Sequence, residues 1–479
     1  MGKINKKILL INPSYGKNDY SSMYTVPPLG IGYVGAYLKE LGHEVRFCDF
    51  ENTRIKEKEI SDLIKNYDPD YVGIGGMTAH YLSAIKIFNI VKDIDNLIPT
   101  IYGGIHASAM PEYIMITNPS IDFIIVGEGE LTFSELIKFN ETDKDYYSEI
   151  DGLVWRKKGV GKVIMNRPRE MIYNLDSLPN PWNILNPLDY QKGIVHSSIY
   201  KRMPTAPIIT TRGCPYKCTY CAARVVLGSK IRIRSAKNVV DEIEFLINNF
   251  GIKEIKINDD NFTFNYNHAR SICEEILDRG LDIVWACSNG VRADKVDYSL
   301  LKLMKKAGCY YLAFGFESGS DNILKLYKKS LNKERAIQAV KIAKNLGFFT
   351  QGFFLMAHPE ERREDLEMTK QFINKTSLDR INLAKVTPLP GTELFDYYLE
   401  HGFMDLENMD WTYTNFEVKN NYLSKKELDW WYTEIMKTFY LRPSKIGRTI
   451  TSVKDIHQSK FYYRVVKDLL RMYITSRVR

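Results

Sequence analysis

Three cysteines in one short loop constrain this chain more than any other feature of the sequence. Cys214, Cys218 and Cys221 lie in the segment TRGCPYKCTYC, residues 211–221, directly after a strand-like apolar segment. Three clustered thiolates in a chain without a secretory signature predict a metal site. A [4Fe-4S] cluster normally has four Cys ligands. Three would leave one iron open to another ligand, such as the amino and carboxylate groups of a methionine derivative.

A structural zinc site, or simply three buried thiols, is the alternative to a cluster. Structural zinc usually takes four protein ligands, often as two Cys-x2-Cys pairs. The sequence contains neither a second Cys pair nor a nearby His to supply the fourth ligand. The spacing therefore favours the cluster. The remaining cysteines stand singly in apolar or helical patterns, and we predict that they are buried packing residues: Cys48, Cys273, Cys287 and Cys309.

The composition is that of a globular protein with several domains. The 479 residues are 44% hydrophobic and 26% charged, and no apolar run is long enough to cross a membrane. The apolar part of the N-terminal segment is too short for a signal peptide. We therefore expect a cytoplasmic protein, and the odd number of cysteines agrees with a reducing compartment.

The positive charge of the chain is concentrated at its C-terminus. Residues 442–479 contain ten Lys or Arg and two Asp or Glu, so this segment carries a net charge of +8, equal to that of the whole chain. One interpretation is a helical cap with a solvated basic face. The other is peripheral binding to the inner face of the membrane, since each basic residue near anionic lipid contributes about 1 kcal/mol. No nucleic-acid recognition module is present, and we expect no nucleic-acid partner.

Strand and helix patterns alternate along most of the chain, which indicates an α/β protein. In residues 1–139 they predict a doubly wound, Rossmann-like parallel sheet that binds its ligand at the carboxyl ends of the strands. Residues 140–198 are predicted to form a β-hairpin and an extended, Pro-stiffened linker. Six repeats in residues 199–400 predict a partial (β/α)6 barrel with its reactive residues at the strand ends. Residues 401–479 are predicted to be a basic helical region.

The cysteine loop resembles the cluster-binding loop of the radical S-adenosylmethionine (SAM) superfamily. The resemblance assigns Cys214, Cys218 and Cys221 as ligands of a [4Fe-4S] cluster that binds SAM at its open iron. Tyr220 matches the usual aromatic residue before the last Cys. The resemblance also implies an electron donor such as flavodoxin or ferredoxin.

Carried along the barrel strands, the same resemblance predicts the SAM contacts. The superfamily places such groups after the second, third and fourth strands, which here gives Asp259, Asp260, Asn261, Arg292, Glu317 and Ser318. An acidic group suits the ribose hydroxyls or the ammonium of SAM, and Arg292 suits a carboxylate. The alternative is an ion pair between Arg292 and Glu317 that contacts no ligand. After the fifth strand, AHPE at residues 357–360 departs from the Gly-x-Pro-Gly-Glu-Thr pattern of relatives, so no adenine contact is assigned there.

Three glycine-containing segments resemble the cobalamin-binding domain that precedes many radical SAM modules. They are VPPLG at residues 26–30, GGIHA at 103–107 and GEGE at 127–130. Glycine at a strand end lets the backbone approach a large flat macrocycle. The resemblance assigns cobalamin contacts to Gly103, Gly104, His106, Gly127, Glu128 and Gly129.

The chain lacks the Asp-x-His-x-x-Gly motif from which one branch of cobalamin proteins supplies the lower axial ligand of cobalt. The resemblance therefore implies water, a weak ligand or no ligand on the lower face. We interpret His106 as a turn residue or a contact to the corrin periphery, and not as a cobalt ligand.

Together the two resemblances, which cover residues 7–399, identify the chain as a cobalamin-dependent radical SAM enzyme. They imply that a 5′-deoxyadenosyl radical abstracts hydrogen from an unactivated carbon, which then receives a methyl group from methylcobalamin. Ring closure or rearrangement is the related alternative, as in the oxidative cyclases of bacteriochlorophyll synthesis. A non-catalytic cobalamin or metal sensor is another. The sequence leaves the substrate open among small molecules, lipids and peptides.

Overall fold

The computed structural model describes residues 5–14, 24–53, 57–138, 146–157, 161–191, 194–195, 199–413 and 416–442. Most of the predicted basic segment, residues 443–479, lies outside the described residues. None of the helices in the described part combines the length and the apolar character that crossing a bilayer requires.

The N-terminal sheet has seven strands, of which five are parallel. The parallel strands lie in the order 2-1-3-4-5, and the predicted hairpin adds two antiparallel strands at one edge. In doubly wound sheets of this order the ligand binds where the strand order reverses, outside the carboxyl ends. In chain order the strands are Lys7–Asn12, Glu44–Asp49, Tyr71–Gly76, Thr100–Gly104, Phe123–Ile125, Leu153–Arg156 and Val163–Met165.

Helices cover both faces of this sheet, which is why its first strand is apolar at every central position. Leu9 and Ile11 belong to the core on one face, and Ile8 and Leu10 to the core on the other. All four side chains are at most 1% exposed, as expected for a parallel strand buried on both sides. The helices are Leu29–Glu40, Phe50–Thr53, Glu57–Tyr67, Tyr81–Ile94, Ile105–Ala109, Pro111–Thr117 and Gly129–Ile137.

The second domain confirms the predicted partial (β/α)6 barrel. Its six strands are all parallel and neighbour one another in chain order. They are Thr205–Ile208, Glu254–Ile257, Val284–Val291, Cys309–Glu317, Phe349–Met356 and Arg380–Lys385. The main helices that follow them are Ala236–Phe250, Tyr266–Asp278, Tyr298–Lys306, Lys333–Asn345, Arg363–Lys375 and Glu393–Glu400.

Local sequence determines where most of these barrel helices begin. An N-cap side chain accepts a hydrogen bond from the first turn in five of them, at Ser235, Asn265, Asp297, Asn332 and Thr392.

The predicted packing role of the isolated cysteines is confirmed where they lie in the barrel. Three of them are buried in the barrel: Cys273, Cys287 and Cys309. The fourth, Cys48, lies in the N-terminal sheet and is half-buried.

The predicted linker differs from an extended chain, because its prolines begin short 3-10 turns at Pro181–Asn183 and Pro187–Tyr190. The indole N–H of Trp182 donates to Glu242 of the barrel at 2.6 Å. The hydroxyl of Tyr190 donates to Asp49 of the N-terminal sheet at 2.7 Å. Both aromatic rings are buried, so the segment is anchored to the two domains.

The C-terminal part joins the two domains from another side. Helix Lys425–Tyr440 begins with a capping box at Ser424 and packs against barrel helix Arg363–Lys375. Ahead of it, Trp411 is buried in a core that contains residues of both domains, including Tyr81 and Tyr398. The described portion of the predicted helical region therefore covers the domain boundary.

Candidate active site

The three predicted ligand cysteines lie in a loop after the first barrel strand. A two-stranded antiparallel ribbon, Thr211–Arg212 with Arg232–Ile233, closes the loop at its base. The N–H of Cys214 donates to the carbonyl of Gly228 at 3.2 Å. Gly213 has a φ of 93°, and a Cβ there would lie 2.3 Å from the Lys230 carbonyl oxygen. Glycine is therefore required immediately before Cys214, the first of the predicted ligands.

The donor set of this loop fits an iron–sulfur cluster. All three thiols are free. Burial raises the pKa of Cys214, so metal coordination is what would keep its sulfur a thiolate at neutral pH. Among the described residues no three His, Cys, Asp or Glu side chains converge on the position of one ion. A cuboidal cluster does not need such convergence, because each Cys binds a different iron.

Unpartnered polar atoms lie at the end of the second barrel strand. The carboxylate of Asp259 accepts hydrogen bonds from the Thr210 N–H at 2.6 Å and hydroxyl at 2.5 Å, and burial raises its pKa to about 6. Next to it, Oδ2 of Asp260 and Oδ1 of Asn261 are buried with no hydrogen-bond partner in the described chain. Buried acceptors are normally satisfied, so these two fit a donor-bearing ligand such as the ammonium of SAM.

Arg292 and Glu317, after the third and fourth strands, do not form the ion pair that the sequence left open. The guanidinium of Arg292 donates to both oxygens of Asp294, at 3.0 and 2.9 Å, and stacks on Tyr216 of the cysteine loop at 4.2 Å. Glu317 accepts a hydrogen bond from Lys329 at 2.9 Å. The two charges therefore belong to separate networks at the same end of the barrel.

Ser318 is held in a structural network. Its hydroxyl lies 2.9 Å from the Thr369 hydroxyl and accepts a hydrogen bond from the Ser320 N–H at 3.1 Å. The side chain is fully buried. Its hydrogen bonds hold the backbone turn that leads from Glu317 into helix Asp321–Leu326.

Lys329 is a residue at this end of the barrel that the sequence analysis missed. Burial alone would lower its pKa, but Glu317 and then Cys218 raise it, so the ammonium stays charged beside the cysteine loop. Its side chain is 11% exposed. Lysine in a short connection after a helix has no distinguishing local pattern. Only its ion pair with the end of the fourth strand places it here.

Glu361, which follows the fifth strand, is a buried carboxyl that the sequence analysis also missed. Its side chain is fully buried, and one oxygen accepts a hydrogen bond from the Ala357 N–H. The other oxygen, Oε1, and the buried hydroxyl of Tyr327 have no hydrogen-bond partner within the residues described. Burial raises the pKa of Glu361 to about 8, so the group is protonated at neutral pH.

Glu361→Gln is expected to remove a pH-dependent loss of stability. The folded pKa, about 8, lies above the unfolded value, so this carboxyl favours folding at low pH and its contribution is lost as pH rises towards 8. We expect the difference in the free energy of unfolding, variant minus wild type, to increase by roughly 1–3 kcal/mol as the pH is raised from about 5.5 to 8. Anaerobic denaturant unfolding of the reconstituted proteins at several pH values measures this.

Glu360→Gln is the matched control, because hydrogen bonds, first that from Tyr397, lower the pKa of this neighbouring carboxyl. Its contribution is lost only at acidic pH, below that range. An equal pH dependence in wild type and Glu361→Gln would contradict the assignment of a protonated Glu361.

The predicted cobalamin contacts lie at the carboxyl ends of the fourth and fifth strands of the N-terminal sheet. Gly104 has a φ of 98°, and a Cβ there would lie 2.6 Å from the Gly76 carbonyl oxygen. A Cβ on Gly103 would meet no atom of the described residues within 4 Å. The N–H of Gly127 donates to the Ser108 hydroxyl at 3.0 Å. Open backbone at Gly103 fits the close approach of a flat macrocycle.

His106 lies in an aromatic cluster and is fully buried. Its ring centroid is 4.5 Å from that of Tyr81 and 4.9 Å from that of Trp411. Neither ring nitrogen has a hydrogen-bond partner in the part of the chain that the structure describes. Burial lowers the pKa of His106 to about 3, so the imidazole is neutral. The residue stands in the short helix Ile105–Ala109, directly after Gly104.

Glu128, between the two glycines of the third predicted segment, binds arginines of the barrel domain. Its Oε1 accepts a hydrogen bond from Arg212 at 2.8 Å, and its Oε2 accepts one from Arg232 at 2.6 Å. Glu130 pairs with the other terminal nitrogen of Arg212 at 2.8 Å. Gly129 begins the helix between these two acids. This connection spans more than 80 residues of sequence.

Two family models match the chain, one in each domain. Residues 208–373 match the Radical SAM superfamily, and residues 21–137 match the B12 binding domain. The chain is 33% identical to an uncharacterized methyltransferase of Pyrococcus horikoshii, over 98% of this chain and 99% of the relative. It is 30% identical to cytidylyl-2-hydroxyethylphosphonate methyltransferase of Streptomyces wedmorensis, over 84% and 83%. It is 28% identical to the anaerobic magnesium-protoporphyrin IX monomethyl ester cyclase of Rubrivivax gelatinosus, over 81% and 69%.

The fold is also that of solved structures. The cobalamin-dependent S-adenosylmethionine radical enzyme OxsB, with aqua-cobalamin and S-adenosylmethionine bound, aligns with a TM-score of 0.74 at 18% identity. The alignment covers 98% of this chain and 72% of OxsB. The chain therefore belongs to the cobalamin-dependent radical SAM enzymes, whose cofactors are a [4Fe-4S] cluster, SAM and cobalamin.

Proposed function

We propose that the protein methylates an unactivated carbon of a small-molecule substrate. The observation that carries the proposal is the contact between the two cofactor regions. Helix Ala223–Leu227, which follows Cys221, packs against helix Ile105–Ala109, which follows Gly104. When bound, the cluster and SAM supply a hydrogen-abstracting radical, and methylcobalamin supplies the methyl group. This packing supports the proposal, because the two helices follow the segments predicted to bind the two cofactors.

The barrel residues have four tasks in this proposal. Cys214, Cys218 and Cys221 would each hold one iron of the cluster. Asp260 and Asn261 offer their unpartnered oxygens to the SAM ammonium. The cations at the same end of the barrel, Arg292 and Lys329, suit the SAM carboxylate. Asp259 is a positioning residue, since its hydrogen bonds to Thr210 tie the second strand end to the first.

In the N-terminal domain, Gly103, Gly104, Gly127 and Gly129 would form the backbone surface that approaches the corrin. His106 would lie behind that surface, because its ring is fully buried, and burial keeps the imidazole neutral. The aromatic residues around it exclude water from this side of the site.

Asp260→Asn is expected to raise the KM for SAM by about ten- to a hundredfold, because a charge-assisted hydrogen bond to the ammonium is lost. The amide keeps the size of the carboxylate, and the iron and sulfide content should stay at the wild-type level. Initial rates of 5′-deoxyadenosine formation against SAM concentration measure the effect. The matched control is Asp278→Asn, at the exposed end of helix Tyr266–Asp278. Equal KM values for both variants would remove Asp260 from the SAM site.

The experiment that tests the function is mass spectrometry of products formed from SAM with a deuterated methyl group. Candidate small molecules, tetrapyrroles, lipids and peptides are offered to the anaerobically reconstituted enzyme. A product that carries the deuterated methyl group supports methyl transfer. The cyclase relative from Rubrivivax gelatinosus favours ring closure as the second candidate. That reaction would give 5′-deoxyadenosine with an unmethylated product, and absence of SAM cleavage would favour a sensor.

Three partners remain part of the proposal: the substrate, the electron donor and the membrane. The choice of a small molecule is supported by the relative from Streptomyces wedmorensis, which by its name acts on a cytidylyl-linked phosphonate. The electron for the cluster would come from a flavodoxin or ferredoxin. Contact of the basic residues 442–479 with the inner face of the membrane stays a prediction, and liposome flotation with and without anionic lipid tests it.

A further inference from the structure

We propose that Glu128, Glu130, Arg212 and Arg232 form a buried junction that fixes the cluster loop relative to the cobalamin-binding loop. In this junction Arg212 is the positioning residue for methyl transfer. The inference rests on the proposed function and adds the device that aligns its two cofactors. It also assigns the Glu of the Gly127–Gly129 segment to the contact between domains.

The junction consists of two acids from one domain and two arginines from the other. One guanidinium bridges both acids, since Nη1 of Arg212 donates to Glu128 and Nη2 donates to Glu130, each at 2.8 Å. Arg232 donates to the second oxygen of Glu128 at 2.6 Å. All four side chains are at most 8% exposed. The pairs are therefore screened little by water or salt.

The two arginines mark the two ends of the cysteine loop. They face each other as register partners in the ribbon that closes the loop, and the three cysteines lie between them in sequence. Arg212 is separated from Cys214 by Gly213 alone. A further contact holds the exit of the loop, where Arg232 donates to the carbonyl of Leu227 at 2.9 Å. Both ends of the ligand loop are thus bound to one carboxylate, that of Glu128.

Glu128 itself lies in the segment that directly follows the fifth strand of the N-terminal sheet. Gly127 has a φ of 85°, and a Cβ there would lie 3.9 Å from the carbonyl oxygen of Val226 in helix Ala223–Leu227, which lies between the two arginines in sequence. Glu128 is further held by the N–H of Ile172, which donates to it at 2.9 Å. A shift of the cluster loop therefore requires these hydrogen bonds to break.

Electrostatics favours a positioning role for this junction over a purely stabilising one. Two negative and two positive groups balance, but burying them costs solvation that their attraction barely offsets. The bridge is directional, because the planar guanidinium fits two carboxylates only in one orientation. A lysine keeps the charge and cannot bridge both acids with this fixed geometry.

If the junction is displaced, SAM cleavage and methyl transfer should be affected to different degrees. Cleavage of SAM needs only the cluster loop and the barrel, whereas methyl transfer also needs the corrin domain in register. A displacement of about 1 Å can slow a well-aligned step by about a hundredfold. Weakening the junction is therefore expected to spare SAM cleavage and to slow methyl transfer.

The test uses the full-length reconstituted holoenzyme with Arg212→Lys and Glu130→Gln, since the glutamine is isosteric. The first measurement is the ratio of 5′-deoxyadenosine to methylated product, expected to rise about tenfold or more in both variants. The second is the electron paramagnetic resonance interaction between the reduced cluster and cob(II)alamin, which depends on the distance between the two spins. We expect it to weaken or broaden in the variants.

Asp379→Asn is the matched control, because Asp379 and Lys344 form a largely buried ion pair within the barrel domain. This variant should lower the thermal midpoint while leaving the product ratio and the spin interaction unchanged. Wild-type values of both readouts in Arg212→Lys and Glu130→Gln would overturn the proposal. If no substrate is methylated, the proposed function fails, and the spin interaction still tests the junction. If Arg212→Lys does not fold, Glu130→Gln supplies both readouts.

Discussion

Cys218→Ala is expected to abolish assembly of the [4Fe-4S] cluster and with it all SAM cleavage. The loop between residues 211 and 232 contains no fourth Cys that could replace the middle residue of the predicted ligand set. We expect the rate of 5′-deoxyadenosine formation to fall by a factor of about 1,000 or more, because SAM then has no iron to bind. Iron and sulfide analysis, the visible absorption of the cluster and the cleavage rate measure the loss.

Cys48→Ala is the control for loss of a thiol as such. Cys48 is a half-buried residue of the strand Glu44–Asp49, away from the cysteine loop. Its variant should keep wild-type iron content and SAM cleavage. If Cys218→Ala retained turnover, or if anaerobically purified protein held zinc and no sulfide, the assignment of the cluster would be wrong.

Gly104→Ala and Gly103→Ala are expected to fail in different ways, although the two glycines are adjacent. At Gly104 the positive φ and the 2.6 Å approach to the Gly76 carbonyl oxygen mean that a methyl group must displace backbone. We expect a loss of about 2–4 kcal/mol in the free energy of unfolding, from strain and overpacking. At Gly103 a methyl group meets no atom within 4 Å in the part of the chain that the structure describes, so folding should be preserved.

The second part of this prediction concerns the cofactor. If the open space at Gly103 faces the corrin, Gly103→Ala should keep the thermal midpoint of wild type and weaken cobalamin binding by about tenfold or more, through steric contact with the macrocycle. Titration of the apoprotein with cobalamin, followed by absorption, measures affinity separately from denaturation. Normal cobalamin affinity in Gly103→Ala would show that the macrocycle does not approach this backbone.

Much of the fold could be predicted because its signals are local. Apolar runs such as residues 8–11, separated by amphipathic helices, indicate a parallel sheet before any contact is known. N-cap residues such as Asn265 mark helix starts within a few positions. The edge position of the hairpin could not be predicted, because the pairing of Phe123–Ile125 with Leu153–Arg156 depends on which strand edge remains open after folding.

In the candidate site, too, some features could be predicted from the local sequence and others depended on the tertiary structure. Sequence alone predicted the three candidate ligand cysteines, since all three lie within eight residues and their spacing is a local property. Tertiary structure alone decided the partners of the charged residues: Arg292 with Asp294, Glu317 with Lys329, and Glu128 with two arginines. The physical reason is that an ion pair depends on distance in space. The acids at 128 and 130 are brought to the ribbon beside the cysteine loop only when the two domains pack together.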